Sequence, residues 1–229
     1  MSLDATLIAA IDERLNDWNQ GDVVLGDAIP FVHLADFNQP ITLGSQNAAE
    51  IDPDNAERLG TVVTHVAGVA VITQSCDLVR SCKDQPFVKL SILQEVTQNF
   101  VDDVRKGHRP RYAYIAGVAD RLLVANLDAI STVEKAVIAA VEPRYRIRGC
   151  RTDAEVREFV FALSRNASRF AFPDDFSTAM RSVQDRILNK HGTSTRDSKG
   201  KHTNEGALLT ALREIRVACS PSWTAAYQI

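Results

Sequence analysis

The sequence predicts an α+β protein. A small, mostly antiparallel, barrel-like sheet over residues 21–140 follows an N-terminal helix at residues 1–20 and precedes a mainly helical domain at residues 151–229. Two observations carry that prediction. Up to Ile138, short runs rich in Val, Ile, Thr and aromatic residues are separated by clusters of Gly, Asp, Asn and Pro, the pattern of strands joined by turns. From Arg151 the apolar residues recur at three- and four-residue spacing instead, the period of a helix with one buried face.

Each element has its own signal. Leu7, Ile8, Ile11, Leu15 and Trp18 share one helical face and predict a helix over 3–18, ended at Gly21. Val23, Val24 and Leu25, then the run 29–34, read as strands. Residues 35–60, rich in Asn, Asp, Gln and Pro, read as a long surface connection with a short helix at 55–59. The run 60–79 is the most apolar of the chain; Gly68 divides it into a strand, a bend and a central strand, with 86–93 as the antiparallel neighbour. A compact basic loop at 101–111 leads to strands at 111–115 and 122–127, with a turn near Gly117 and Asp120 between them. Ser131, with Glu134 three residues on, matches a capping box and predicts a short helix.

In the C-terminal part, Val156, Phe159, Val160 and Leu163 predict a helix capped by Thr152 or Asp153, and Phe176, Met180, Val183 and Ile187 predict another behind Pro173. Residues 189–206 read as a linker loop, since their hydroxyls and cations lack the order of a nucleotide-binding loop. A short helix from Leu208 and a strand at 215–219 are expected to return to the sheet, and 223–229 reads as a strand open to pairing with another subunit.

Charge and cysteines narrow the function classes. The net charge is −3, and residues 151–229 hold 12 Lys and Arg against 9 Asp and Glu, a balance too even to set a partner. Cys76, Cys82, Cys150 and Cys219 include no Cys-x-x-Cys pair, so neither a metal nor a cofactor is expected. The N-terminus lacks the charged and apolar regions of a signal peptide and no 18-residue apolar run spans a membrane, which predicts a cytoplasmic protein with reduced thiols.

Two constellations carry chemistry. The central strand ends in Thr73, Gln74, Ser75, Cys76 and Asp77, which makes Cys76 a candidate nucleophile with His65, eleven residues earlier, as base if the strands turn back at Gly68. His33 and His108 are alternative bases. The competing reading packs Cys76 as a small core residue and uses Asp77 as an acceptor at the strand end. The second constellation is basic: Arg105, Lys106, His108, Arg109 and Arg111, with Arg144, Arg146, Arg148 and Arg151, interleaved with Tyr112, Tyr114 and Tyr145. Such cations suit phosphates and such rings suit bases, as in single-strand binding; the competing reading pairs them with Asp102, Asp103, Asp120 and Glu142.

The opening strand Gly21-Asp-Val-Val24, the long strand Val69-Ala-Val-Ile-Thr73, and the last strand and short helix at 125–135 resemble, in order, the PemK/MazF-like toxins over residues 21–138. That resemblance implies a compact SH3-like β-barrel and an association with bacterial toxin–antitoxin or phage-defence systems. Those toxins are ribonucleases with an Arg-Pro pair before the long strand and a Pro-x-Thr at the end of the following one. Here His65-Val-Ala-Gly68 and Leu90-Ser91-Ile92 hold these places, so the resemblance implies His65 in place of the cation and Ser91 in place of the hydroxyl. The leading expectation is a non-enzymatic component that binds another protein subunit or nucleic acid through Arg105, Lys106, Arg109, Arg111, Arg146 and Arg148 and the barrel rim, as a homo- or hetero-oligomer away from membranes. The alternatives are a divergent endoribonuclease and a hydrolase built on Cys76, His65 and Asp77.

Overall fold

A computed structural model describes residues 4–51 and 59–167. The elements expected at 176–188, 189–206, 208–212, 215–219 and 223–229 lie outside the described residues, as does most of the helix expected at 55–59. Helix α1 (Ala5–Leu15) starts where Asp4 accepts the Thr6 N–H at 2.9 Å, later than periodicity alone predicts.

Among the described residues the main sheet has six strands: β1 (Val23–Leu25), β4 (Gly68–Val71), β5 (Phe87–Glu95), β6 (Tyr112–Ala113), β7 (Leu123–Glu134) and β8 (Arg146–Ile147). Their order is β6-β7-β5-β4-β1-β8, and every pairing is antiparallel. The α+β class and the antiparallel sheet are as expected. β6 and β8 are the outer strands of this order, yet the segments that follow them meet: the Gly117 N–H donates to Gly149 O at 2.8 Å. This approach requires glycine, because a Cβ on Gly117 would lie 2.6 Å from Arg148 O and 2.9 Å from Gly149 Cα.

Strand alternation sends side chains to two cores. Val23, Ala70, Leu93, Ile115 and Ala125 cluster with Phe159 and Ala162 of α6 (Asp153–Ala167). Val24, Val69, Val71, Val88 and Leu90 cluster with Leu15 and Trp18 and with Ile138 of α5 (Lys135–Ala139). Helix α6 belongs to the same compact unit as the sheet, which runs to Arg169. Its start is a capping box, with Glu155 N–H donating to Thr152 Oγ1 at 3.2 Å and Thr152 N–H to Glu155 Oε2 at 3.1 Å.

Strands β2 (Phe31–Asp36) and β3 (Leu59–Thr64) form a separate two-stranded ribbon, with Val32 opposite Val63 and Leu34 opposite Thr61. Helix α2 (Leu43–Ile51) lies against β3, where the expectation was irregular connection; Thr42 and Ser45 exchange hydrogen bonds at its start.

Other expectations are corrected as well. The first part of the expected basic loop is helix α4 (Gln98–Arg105), because Val101 and Val104 bury against Val124. The second of the two strands runs on to Glu134, and a 3-10 helix (Ala116–Arg121) ending in left-handed Leu122 stands where a turn was expected. Ser131 therefore caps nothing: it pairs with Leu90 inside β7, and α5 begins only at Lys135, since ladder pairing with β5 outweighs a local capping pattern. The central strand itself ends at Val71, and the polar run after it is a turn and a short helix, α3 (Ser75–Leu78). Among the described residues, no helix is long and apolar enough to cross a membrane.

Candidate functional site: the Cys76 turn

The turn after β4 is fixed by the side chains that precede Cys76. Thr73 Oγ1 accepts the Lys89 N–H at 2.7 Å, and Ser75 Oγ accepts the Gln20 N–H at 3.0 Å. The Gln20 side-chain amide donates to Ile72 O at 2.8 Å. Beneath the turn, Leu78 is buried and the Lys135 ammonium donates to the carbonyls of Asp77 (2.8 Å) and Arg80, closing the C-terminal end of α3. The polar cluster is thus mostly scaffold; Gln74 and Cys76 face solvent.

Cys76 Sγ lies 3.6 Å from Gln74 Oε1 and 4.0 Å from Asp77 Oδ1. Both are acceptors, and among the described residues no histidine ring lies beside the sulfur. The Asp77 carboxylate sits 3.5 Å from the Arg80 guanidinium. His65 precedes β4 while Cys76 follows it, and the His65 ring lies in solvent 3.9 Å from Asp27. His108 faces Asp103 at 3.7 Å. His33 stacks on Phe31 at 5.3 Å, and its ring nitrogens are buried without a partner. Ser91 is fully buried on β5 and donates to Asn126 O at 2.7 Å, where the β5–β7 register shifts. Of Cys76, His65, Asp77 and Ser91, the fold brings only the adjacent Cys76 and Asp77 into contact.

The basic residues divide between the two outer strands of the sheet. Arg105, Lys106, Arg109 and Arg111 precede β6, whereas Arg146 is in β8 and Arg148 just beyond it. Arg109 pairs with Asp103 at 3.2 Å and lies 4.8 Å over the Phe100 ring; Arg111 pairs with Asp128. Arg105 lies over the Tyr114 ring at 5.5 Å. Arg146 donates to buried Asp22 at 2.7 Å and covers Trp18 at 4.4 Å. Lys106 and Arg148 are exposed.

A cluster that sequence reading missed lies behind the turn. Asp12 of α1 accepts the Cys82 N–H at 2.7 Å, so Asp12 and Lys135 together tie down the segment from Asp77 to Cys82. Burial pushes the Asp12 carboxyl up, but the Cys82 N–H, the Ser81 and Cys82 side chains and the Lys135 charge outweigh it and hold it below its ordinary value. The same burial, and the hydrogen bond and negative charge of Asp12, push the Cys82 thiol up. Cys150 is buried, and its thiol is pushed up to about 12 by desolvation and by the charges of Glu155 and Asp22. Among the described residues, no three His, Cys, Asp or Glu side chains converge to hold a metal ion.

These settings rank the thiols. Among the described cysteines, native alkylation followed by mass spectrometry is expected to label Cys76 first, half-buried Cys82 more slowly, and Cys150 only as the protein unfolds. Early labelling of Cys150 would contradict the packing described above. The chain matches no protein-family model, no curated protein and no solved structure.

Proposed function

We propose that this chain is a non-enzymatic recognition component that binds another protein subunit through the outward face of the β2–β3 ribbon. The observation that carries the reading is an apolar face turned to water: Leu34 is 75% exposed, Leu59 64% and Val63 59%. Val32 adjoins them, and Thr61 lies between Leu59 and Val63 on β3. Isolated exposed apolar side chains are ordinary, but a contiguous group on a two-stranded ribbon is the kind of surface that partners cover. The ribbon also keeps a free edge on each strand, among the described residues, where an added strand could pair.

Nucleic acid ranks second, because Arg109, Arg111 and Arg146 already have carboxylate partners. Catalysis ranks lower still. Among the described residues Cys76 has no histidine beside it and the Ser91 hydroxyl is buried and engaged, which counts against a Cys76–His65 hydrolase and a toxin-like ribonuclease. The resemblance to PemK/MazF-like toxins supports placing such a component in a bacterial toxin–antitoxin or phage-defence assembly. The contact between the segments after β6 and β8 supports an SH3-like barrel as the finer description of the sheet.

The reading is tested by size. In a fresh extract of the producing cell, the wild-type chain is expected to elute well above its own 25.2 kDa, and a Leu34→Lys, Val63→Lys variant at the mass of the free chain. Both positions are exposed, so the variant keeps its fold. Identical elution of the two proteins would count against the ribbon as the binding face.

A further inference from the structure

An open pocket of about 140 Å³ lies between α1, the segment at 82–86 and the start of α5. Its walls come from Ile8, Ile11, Cys82, Pro86 and Ala136, with Glu134 also lining it. We infer that this pocket anchors one branched apolar side chain of a protein partner, a Leu or Ile followed directly by Arg or Lys. The inference rests on the reading of the chain as a partner-binding component and adds a second point of contact to it.

Three features select that occupant. The volume suits a single side chain, since a cavity of about 150 Å³ with apolar walls accommodates one benzene-sized group. The polar groups at its floor are engaged within the protein: the Cys82 N–H donates to Asp12, and the Lys135 ammonium donates two of its three N–H groups to the carbonyls of Asp77 and Arg80. That leaves apolar contact as most of what the floor offers a ligand. Glu134 is the exception. It is exposed and has no ion pair among the described residues, so it presents an uncompensated carboxylate to a cation next to the inserted side chain.

The test uses three capped dipeptides on the isotope-labelled full chain, followed by amide NMR up to about 10 mM, since one side chain in one pocket binds weakly. N-acetyl-Leu-Arg-amide is expected to shift the amides of Ile8, Cys82 and Ala136 and to slow Cys82 alkylation. N-acetyl-Leu-Glu-amide and N-acetyl-Gly-Arg-amide are expected to do neither. The Glu134→Gln variant is expected to bind the first dipeptide about two- to fivefold more weakly, the range for one exposed ion pair. Ala136→Leu, a substitution at an exposed position, is expected to fill the pocket and abolish the shifts. Absence of shifts at these residues, equal shifts from all three dipeptides, or undiminished binding by Glu134→Gln would overturn the inference. None of these results depends on Leu34 or Val63, so failure here leaves the ribbon's role to be judged by its own experiment.

Discussion

Arg146→Ala is expected to destabilise the fold by about 3–5 kcal/mol, the range for removing one partner of a buried ion pair. Asp22 is fully buried at the start of β1, and its Oδ2 accepts two Arg146 N–H groups, at 3.1 and 2.7 Å, and the Asn19 N–H at 3.1 Å. Its other oxygen, Oδ1, is buried and unpartnered, so this carboxylate has no reserve of hydrogen bonds to draw on. The same guanidinium donates to Asp17 O and lies 4.4 Å over Trp18, which ties the end of α1 to β8. Arg146→Lys is expected to recover only part of the loss, because an ammonium cannot reproduce the planar group's two N–H bonds to Oδ2 together with its stacked face on Trp18. Denaturant titration reads the effect as a lowered midpoint. Asp22→Asn combined with Arg146→Ala should cost less than the two separate losses added together, and full additivity would mean that the pair is not coupled.

Lys135→Met is expected to cost about 2–3 kcal/mol at neutral pH, from the carbonyls of Asp77 and Arg80 left without this buried donor. Lys135 is 1% exposed, and burial pulls its ammonium below the ordinary 10.5 against the opposing pull of Asp12, Cys82 and Asp77. The sign of the pH dependence follows. Between the lowered folded value and 10.5 the unfolded chain binds the proton that the folded chain has released, so this group's contribution to stability rises with pH across that window. The stability of the wild type relative to Lys135→Met should therefore increase as pH approaches 10.5 from below. Cys150, raised to about 12, works the other way, losing stability from its ordinary 9.0 upward, but it is common to both proteins and cancels in the difference. A difference that shrinks as pH rises toward 10.5 would contradict the burial of a charged lysine.

What could be seen in the sequence was set by how far each residue's partners lie along the chain. The helices α1 and α6 show in their spacing, and Thr152 and Glu155 announce the start of α6 within four residues. The β4–β5 pairing shows because both strands are apolar and follow one another as strands along the chain. Helix α4 was hidden, since Phe100, Val101 and Val104 are its only large apolar residues among charges that suggest a loop. The far half of β7 was hidden differently: Ser131 and Glu134 spell a local cap, and only pairing with β5 some forty residues back reveals the strand. The Cys76 turn was located from the end of an apolar run, but the roles inside it were not. Thr73 and Ser75 turn out to be backbone acceptors, and Lys135, which supports the turn, reaches back 58 residues to Asp77. The Arg146–Asp22 pair spans 124 residues, and no local pattern distinguishes Arg146 from its exposed neighbours.

The most direct test of partner recognition through the ribbon is site-specific photo-crosslinking in the producing cell, with a benzophenone side chain at Leu34 in one protein and at exposed Arg157 on α6 in another. Crosslinking at Leu34 is expected to give one discrete protein adduct that is absent from the Arg157 protein and lost when Val63→Lys is added. No adduct at Leu34, or the same adducts from both positions, would contradict recognition through the ribbon.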